Sequence, residues 1–250
     1  MFIAYCFEKS YSPSSITTYI SGLSFFHKIN GWYSISDVFV VSKILKGCRR
    51  LRPVVDKRAP ITLSMLKQIC AVVPVVSNSI FESMLFKALF SVAYFGLFRV
   101  SELVFTNNGN MSISVVDIRF DSDQKHVVLC LRTSKTNQSG KQTYLKLPCE
   151  SDDAICPVCN LKIYMRYRPL TPGQLFIHEN GSLVTRYQFS AVLRKSLSHS
   201  GLNCDIYKSH SFRIGRATQL ASMGISDDKI MSMGRWQSTA YLTYIRDTAL

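Results

Sequence analysis

With 250 residues, 47% of them hydrophobic, the chain has enough apolar material for one or two packed domains, which excludes a disordered or low-complexity protein. Thirty Lys and Arg against 16 Asp and Glu give a net charge of +14, which favours a polyanionic partner, nucleic acid before an acidic membrane surface. The eight cysteines are scattered, several inside apolar runs, and the opening MFIAYCFEKS lacks the basic start and cleavage site of a secretory signal, so reduced thiols in an intracellular protein are expected.

Residues 1–10 read as the tail of a helix without a start signal, which points to a natural start further upstream or to a truncated copy. Pro13 then opens a helix at a first-turn position. Ile16, Tyr19, Ile20, Leu23 and Phe26 recur at helical spacing, predicting an amphipathic helix over 14–28 that Asn30-Gly31 ends. A second helix is predicted over 36–50, closing in the basic cluster Lys43, Lys46, Arg49, Arg50 and Arg52. A basic helix end is either a solvated, dipole-friendly face or a phosphate contact; beside a chain this basic, phosphate contact is the preferred reading. The Pro-bounded segment that follows has little periodicity and reads as a linker over 54–60, between a small helical domain (1–53) and a larger one (61–250).

Thr62 caps a predicted helix reaching about Val73, and a strongly apolar helix runs over 79–95 before Gly96. Its stretch 88–98 is uncharged but too short to span a bilayer. The next helix opens with 97–103, placing Arg99 at a helix-to-helix corner, where it either pairs with Glu102 or points into a site. Alternating apolar residues then predict strands over 112–120, 126–132 and 142–147. The polar hairpin loop 133–141 carries Lys135 and Lys141, tip lysines that are solvated or reach into a groove. Cys156-Pro-Val-Cys159 is half of a zinc motif; without a second pair of suitable spacing no structural zinc is expected, and Pro157 instead starts a helix over 158–168. A short strand over 175–178, a turn over 179–181 and a helix over 185–199 lead to the last stretch.

That stretch, 208–246, places His210 and Arg213 one helical turn apart, followed by a short helix over 226–233 and a Tyr-rich helix over 238–246 with Tyr241 and Tyr244. His210 and Arg213 can reach one ligand, with Tyr244 folded back against them. Two donors and a phenol aimed at one point suggest a phosphate and a nucleophile.

Four stretches, in this order, resemble the tyrosine recombinase family, the phage-integrase-like DNA breaking-rejoining enzymes. AYFGLFRVSEL (93–103) is similar to the family's first-arginine corner, and the strand–loop–strand around TSKTNQSGK to its lysine hairpin. HSFR (210–213) is similar to its H-x-x-R box, and GRWQSTAYLTYIR (234–246) to its tail box, with Tyr244 in the nucleophile's place. The tail box looks most like those of eukaryotic mobile elements of the DIRS, Ngaro and Crypton types. The resemblance implies a fold that is mainly α with a small three-stranded antiparallel sheet: a catalytic domain over 61–250 behind a small helical, SAM-like core-binding domain over 1–53.

The implied chemistry is attack by Tyr244 on a DNA phosphorus, giving a 3′-phosphotyrosyl link and a free 5′-hydroxyl, with no ATP, metal or other cofactor. Arg99 and Arg213 would clamp the non-bridging oxygens. His210 would serve as base or hydrogen-bond donor, and Lys135 as general acid, with Lys141 as its alternative or as a DNA contact beside Lys46, Arg49, Arg50 and Arg52. A further phosphate donor falls on Arg235 by register or on Trp236 by its indole N–H. Tyr241 is the alternative nucleophile. The implied partners are double-stranded DNA and further copies of the chain, as a tetramer, and the implied location is the nucleus. The alternative is a truncated or host-adopted copy that binds DNA without strand exchange.

Overall fold

The structure, a computed structural model, describes residues 1–53, 56–106, 112–123, 125–132 and 142–246. The chain divides into two compact units, Met1–Lys57 and Arg58–Leu250.

The first unit contains α1 (Phe2–Glu8), α2 (Pro13–Ile29) and α3 (Phe39–Leu51). Ser12 caps α2, its hydroxyl accepting from the Ser15 N–H, and Pro13 sits at the first helical position, where its missing N–H costs nothing. Ile3, Cys6, Ile16, Ile20 and Cys48 form a small core of their own. The helix expected over 36–50 is split. Residues Ile35–Asp37 form a 3₁₀ turn and Val38 is extended, because the Ser36 N–H is taken by the Ser24 hydroxyl at 2.8 Å, anchoring the turn to α2.

In the second unit, α4 (Leu63–Val76) continues three residues past its expected end, through Pro74 in its last turn. Alpha-helix α5 (Ile80–Phe95) is the axis of the unit: Leu85, Ala88, Leu89, Phe90, Val92 and Tyr94 are all fully buried. A helix apolar all round has to be surrounded, and here it meets α4, α7 (Pro157–Tyr167) and α9 (Ser211–Ser222). Alpha-helix α8 (Arg186–His199) packs on α4, capped by Thr185 in a reciprocal pair with Gln188. The chain ends in α10 (Asp227–Gly234) and a 3₁₀ turn over Thr239–Tyr244.

Between α6 (Val100–Leu103) and α7 lies one antiparallel sheet of β1 (Ile118–Phe120), β2 (His126–Leu131) and β3 (Thr143–Pro148), in that order. The register pairs Ile118 with Leu129, and Leu129 with Leu145. Alternation puts Val127, Leu129, Leu131, Leu145 and Leu147 into the main core, leaving His126, Val128 and Lys146 on the other face. The described residues thus form a mainly α structure with a small three-stranded antiparallel sheet, as the sequence predicts.

Three expected elements are shorter. The strand expected over 112–120 retains only its last three residues. Val115–Asp117 is a 3₁₀ turn because the Asp117 carboxylate accepts the Ser114 N–H at 3.0 Å. The strand expected over 175–178 is reduced to isolated bridges, Ser114 to Gln174 and Ile177 to Leu183. The helix expected from residue 97 begins only at Val100. Among the described residues no helix is long and apolar enough to cross a membrane.

The last linker residues belong to the second unit: the Ala59 N–H donates to the Ile206 carbonyl and the Ile61 N–H to that of Ser211. Ile61 thus lies against α9 at Gly215, where a Cβ would stand 1.7 Å from the Ile61 carbonyl oxygen. Gly215→Ala is expected to force α9 away from this segment and to cost about 2–3 kcal/mol, read as a lower urea midpoint at unchanged slope.

Candidate active site

The site is built where the corner after α5 meets α9 and the terminal turn. Gly96 ends α5 and Leu97 takes a left-handed conformation, φ 49°. An L-residue pays for that geometry with about 1–2 kcal/mol of local strain, so the surrounding packing has to hold it. Leu97 is fully buried and its carbonyl faces α9. Arg99 follows as the N-cap of α6.

Glu102, in the first turn of α6, organises the charges. Its carboxylate accepts from Arg99 Nη1 at 3.0 Å, from the Arg99 backbone N–H at 2.8 Å, and from Arg235 Nη2 at 2.8 Å. The group is 5% exposed. Burial alone would raise its carboxyl pKa; the charge of Arg235, the Arg99 N–H and the charges of Arg99 and Arg213 outweigh this and hold it below the ordinary carboxylate range.

Arg213, on the first turn of α9, is 0% exposed. Its Nη1 donates to the Leu97 carbonyl at 2.7 Å and its Nη2 to the Gly234 carbonyl. The guanidinium lies 4.2 Å from the Trp236 ring centroid and 5.4 Å from that of Tyr244. Burial, then the neighbouring charges of Arg99 and Arg235, depress its pKa, with Glu102 opposing. Its Nε finds no acceptor among the described residues, nor does the indole N–H of Trp236.

The nucleophile candidate is carried on the terminal 3₁₀ turn. The expected helix over 238–246 is this tighter turn, capped by Ser238 and tied to α9 by two bonds: Thr218 Oγ1 donates to the Tyr244 carbonyl at 3.2 Å and accepts the Arg246 N–H at 3.1 Å. That anchoring brings the Tyr244 hydroxyl to 2.8 Å from His210 Nε2 at the N-cap of α9. Trp236 packs against the same phenol with its ring tilted by 57°, ring centroids 5.0 Å apart.

Tyr241 behaves differently. It is 2% exposed within the cluster of Leu97, Leu220, Ile230 and Trp236. A hydrogen bond to Asp227, then burial, pushes its phenol up to about 12. Arg235 also takes a structural place: it sits left-handed (φ 58°) as the cap of α10, and it donates to the Gly96, Leu97 and Met233 carbonyls as well as to Glu102. The approach of Trp236 to the chain requires glycine at 234, where a Cβ would stand 1.7 Å from the indole.

Arg99, His210, Arg213, Arg235, Trp236 and Tyr244 therefore form one connected cluster. Lys135 and Lys141 lie outside the described residues. Lys46, Arg49 and Arg50 are exposed on α3 of the first unit, Arg49 donating to Thr17 Oγ1 at 3.1 Å. Arg52 is turned inward, donating to the Phe7 carbonyl at 2.7 Å and stacking on its ring at 3.9 Å. Sequence reasoning named Glu102 only as a possible partner of Arg99. The available signal was that the Gly96 corner, the H-x-x-R box and the tail box together bring Arg99, Arg213 and Arg235 beside a single acid, Glu102. Thr218 carried no signal, since its role is set by a turn 26 residues away.

The phage integrase family profile matches residues 65–248. No curated protein sequence matches the chain. Among solved structures, it is similar to the XerH site-specific recombinase bound to difH substrate in a pre-cleavage complex: TM-score 0.57 at 16% identity, over 75% of this chain and 50% of that one. It is also similar to the Tn1549 transposon integrase in complex with circular intermediate DNA, with TM-score 0.61 at 14% identity over 98% of this chain and 78% of that one. A lambda integrase dimer bound to a COC′ core site gives TM-score 0.61 at 16% identity, over 98% and 62%. The chain thus spans about half the length of the XerH chain it matches, and at these identities the likeness is one of fold. By the extent of the profile match, and with a fold shared with these recombinases, the chain belongs to the phage integrase family, the tyrosine recombinases.

Proposed function

We propose that this chain cuts and rejoins double-stranded DNA by site-specific recombination, with Tyr244 as nucleophile. The observation that carries the reading is the hydrogen bond of the Tyr244 hydroxyl to His210 Nε2 at 2.8 Å, directly beside the buried guanidinium of Arg213. An alcohol within hydrogen-bond reach of an imidazole, next to fixed cationic donors, is the arrangement that phosphoryl transfer to a side chain needs.

In the proposed reaction the Tyr244 oxygen forms a bond to phosphorus and the 5′-oxygen of the next nucleotide leaves. His210 takes the phenolic proton or donates to a phosphate oxygen. Arg99 and Arg213 stabilise the charge that builds on the non-bridging oxygens, together with the unpartnered Trp236 indole N–H. Arg235 holds Glu102, which in turn orients Arg99. Lys135, or Lys141, protonates the leaving 5′-oxygen. The corresponding 5′-hydroxyl of a partner strand later attacks the phosphotyrosine, releasing the Tyr244 phenol and restoring the backbone, so the energy of the broken bond is conserved. No step in this scheme calls on a metal or other cofactor.

DNA as partner is supported by the charge of +14 and by relatives whose structures hold DNA. In this reading Lys46, Arg49 and Arg50 contact phosphates from the first unit, the core-binding domain, while Arg52 braces it. The reading extends to a mobile-element recombinase that acts in the nucleus as a tetramer on DNA, supported by the form of the tail box.

The test uses nicked duplexes built from sequences that the chain selects out of a random pool. Loss of the short strand beside the nick prevents religation. A covalent protein–DNA adduct, resistant to denaturation, is expected. Tight binding without any adduct would instead identify a host-adopted or truncated DNA-binding protein.

A further inference from the structure

A second cluster of reactive side chains lies away from the arginines, where β3 gives way to α7. Cys149 follows β3, Cys156 is the N-cap of α7, and Cys159 lies in the first turn of that helix. Cys149 Sγ is 3.4 Å from Cys156 Sγ and 3.9 Å from Cys159 Sγ, and all three sulfurs lie within 4.8 Å of one another. The Asp153 carboxylate oxygen stands 3.2 Å from Cys159 Sγ. The search for a second Cys-x-x-Cys pair misses this arrangement, because the third thiol comes from the strand end and not from a second knuckle.

We propose that Cys149, Cys156 and Cys159 bind one zinc ion as a structural clip between β3 and α7, with the fourth position open to solvent. The spacing fits a metal and not a covalent link. Four ligands around zinc, with Zn–S bonds of about 2.3 Å, put tetrahedral sulfurs about 3.8 Å apart. The observed separations straddle that value, whereas a disulfide requires about 2.05 Å.

The surroundings are those of a thiolate site. The backbone N–H groups of Glu150 and Cys159 point at Cys156 Sγ at 3.3 and 3.4 Å, a feature independent of the thiol cluster itself. Such donors stabilise a metal-bound sulfur and fix its orientation. Zinc binding displaces the thiol protons to solvent and leaves three thiolates on the cation. Three soft sulfurs in tetrahedral spacing select zinc over magnesium or calcium. Cys156 is buried, Cys159 half-buried, and Cys149 and Asp153 exposed, so the ion has an open route in from solvent.

The clip would act on the geometry of the catalytic unit. It pins the C-terminal end of β3, the strand that follows Lys135 and Lys141 in sequence, to the helix that packs on α5.

The test is metal analysis of the full chain purified under reducing conditions without added metal. About one zinc per chain is expected, and cobalt exchange is expected to produce intense thiolate-to-cobalt charge-transfer absorption. Cys149→Ser and Cys159→Ser, which avoid the buried cap, are expected to weaken zinc binding at least about 100-fold and to lower the melting temperature. Cys204→Ser, at a thiol outside the cluster, is expected to keep the full zinc content. The proposal is overturned by folded wild-type chain that carries no zinc and gives no charge-transfer band, by zinc retained in full in Cys149→Ser, or by equal zinc loss in Cys204→Ser.

Discussion

Glu102→Ala is expected to destabilise the chain by about 3–5 kcal/mol, a large share of the roughly 5–15 kcal/mol that holds a domain folded. The carboxylate is 5% exposed and is the acid that Arg99 and Arg235 share. Its removal leaves the Arg235 head, 6% exposed, with only carbonyl partners, and leaves Arg213 without its compensating negative charge. Losing one partner of a buried pair costs far more than the pair contributes, because the remaining charge cannot regain water.

Glu102→Gln keeps the shape and removes only the charge, so a similar loss is expected if charge, not packing, is what matters. The same linkage predicts acid sensitivity. The folded pKa of Glu102 lies below its unfolded value, so its contribution is complete above the ordinary carboxylate range, about 4.3, and is lost as the pH falls from there toward the folded value. Urea midpoints measured across this interval should fall in the wild type more steeply than in Glu102→Gln.

Tyr244→Phe is expected to reduce adduct formation by a factor on the order of 10⁴ or more, with little change in fold or DNA affinity. The substitution removes one hydroxyl, bonded to His210, and leaves the ring packed against Trp236. A neutral hydrogen bond of this kind is worth about 1 kcal/mol to stability. A large catalytic loss with a small stability loss would separate a nucleophile from a packing tyrosine. Tyr241→Phe should do the opposite: it gives up the bond to Asp227 within a packed cluster and is expected to leave adduct formation intact.

The parts of this structure that were legible in the sequence are those set by local pattern. The apolar run closed by Gly96 gave α5, alternation gave β2 and β3, and the Thr62 cap gave the start of α4. Within the site, the one-turn spacing of His210 and Arg213 was readable for the same reason.

What was not legible depends on bonds between distant residues. The corner at Leu97 adopts a left-handed backbone because its carbonyl serves Arg213 and Arg235, 116 and 138 residues further on. The terminal residues form a 3₁₀ turn because Thr218 holds both its carbonyl and a following N–H. Arg235 followed the expected register but faces inward, where Glu102 and the Gly96, Leu97 and Met233 carbonyls take its guanidinium. Cys149 was unreadable as a partner of Cys156 because strand pairing, not spacing, brings it there.

The most direct test of the central claim is to identify the residue that becomes joined to DNA. The complex trapped on nicked duplex is digested with protease and nuclease, and the nucleotide-bearing peptide is sequenced by mass spectrometry. The account predicts a single modified peptide with the phosphonucleotide on Tyr244; modification of Tyr241 or of any other residue would contradict it.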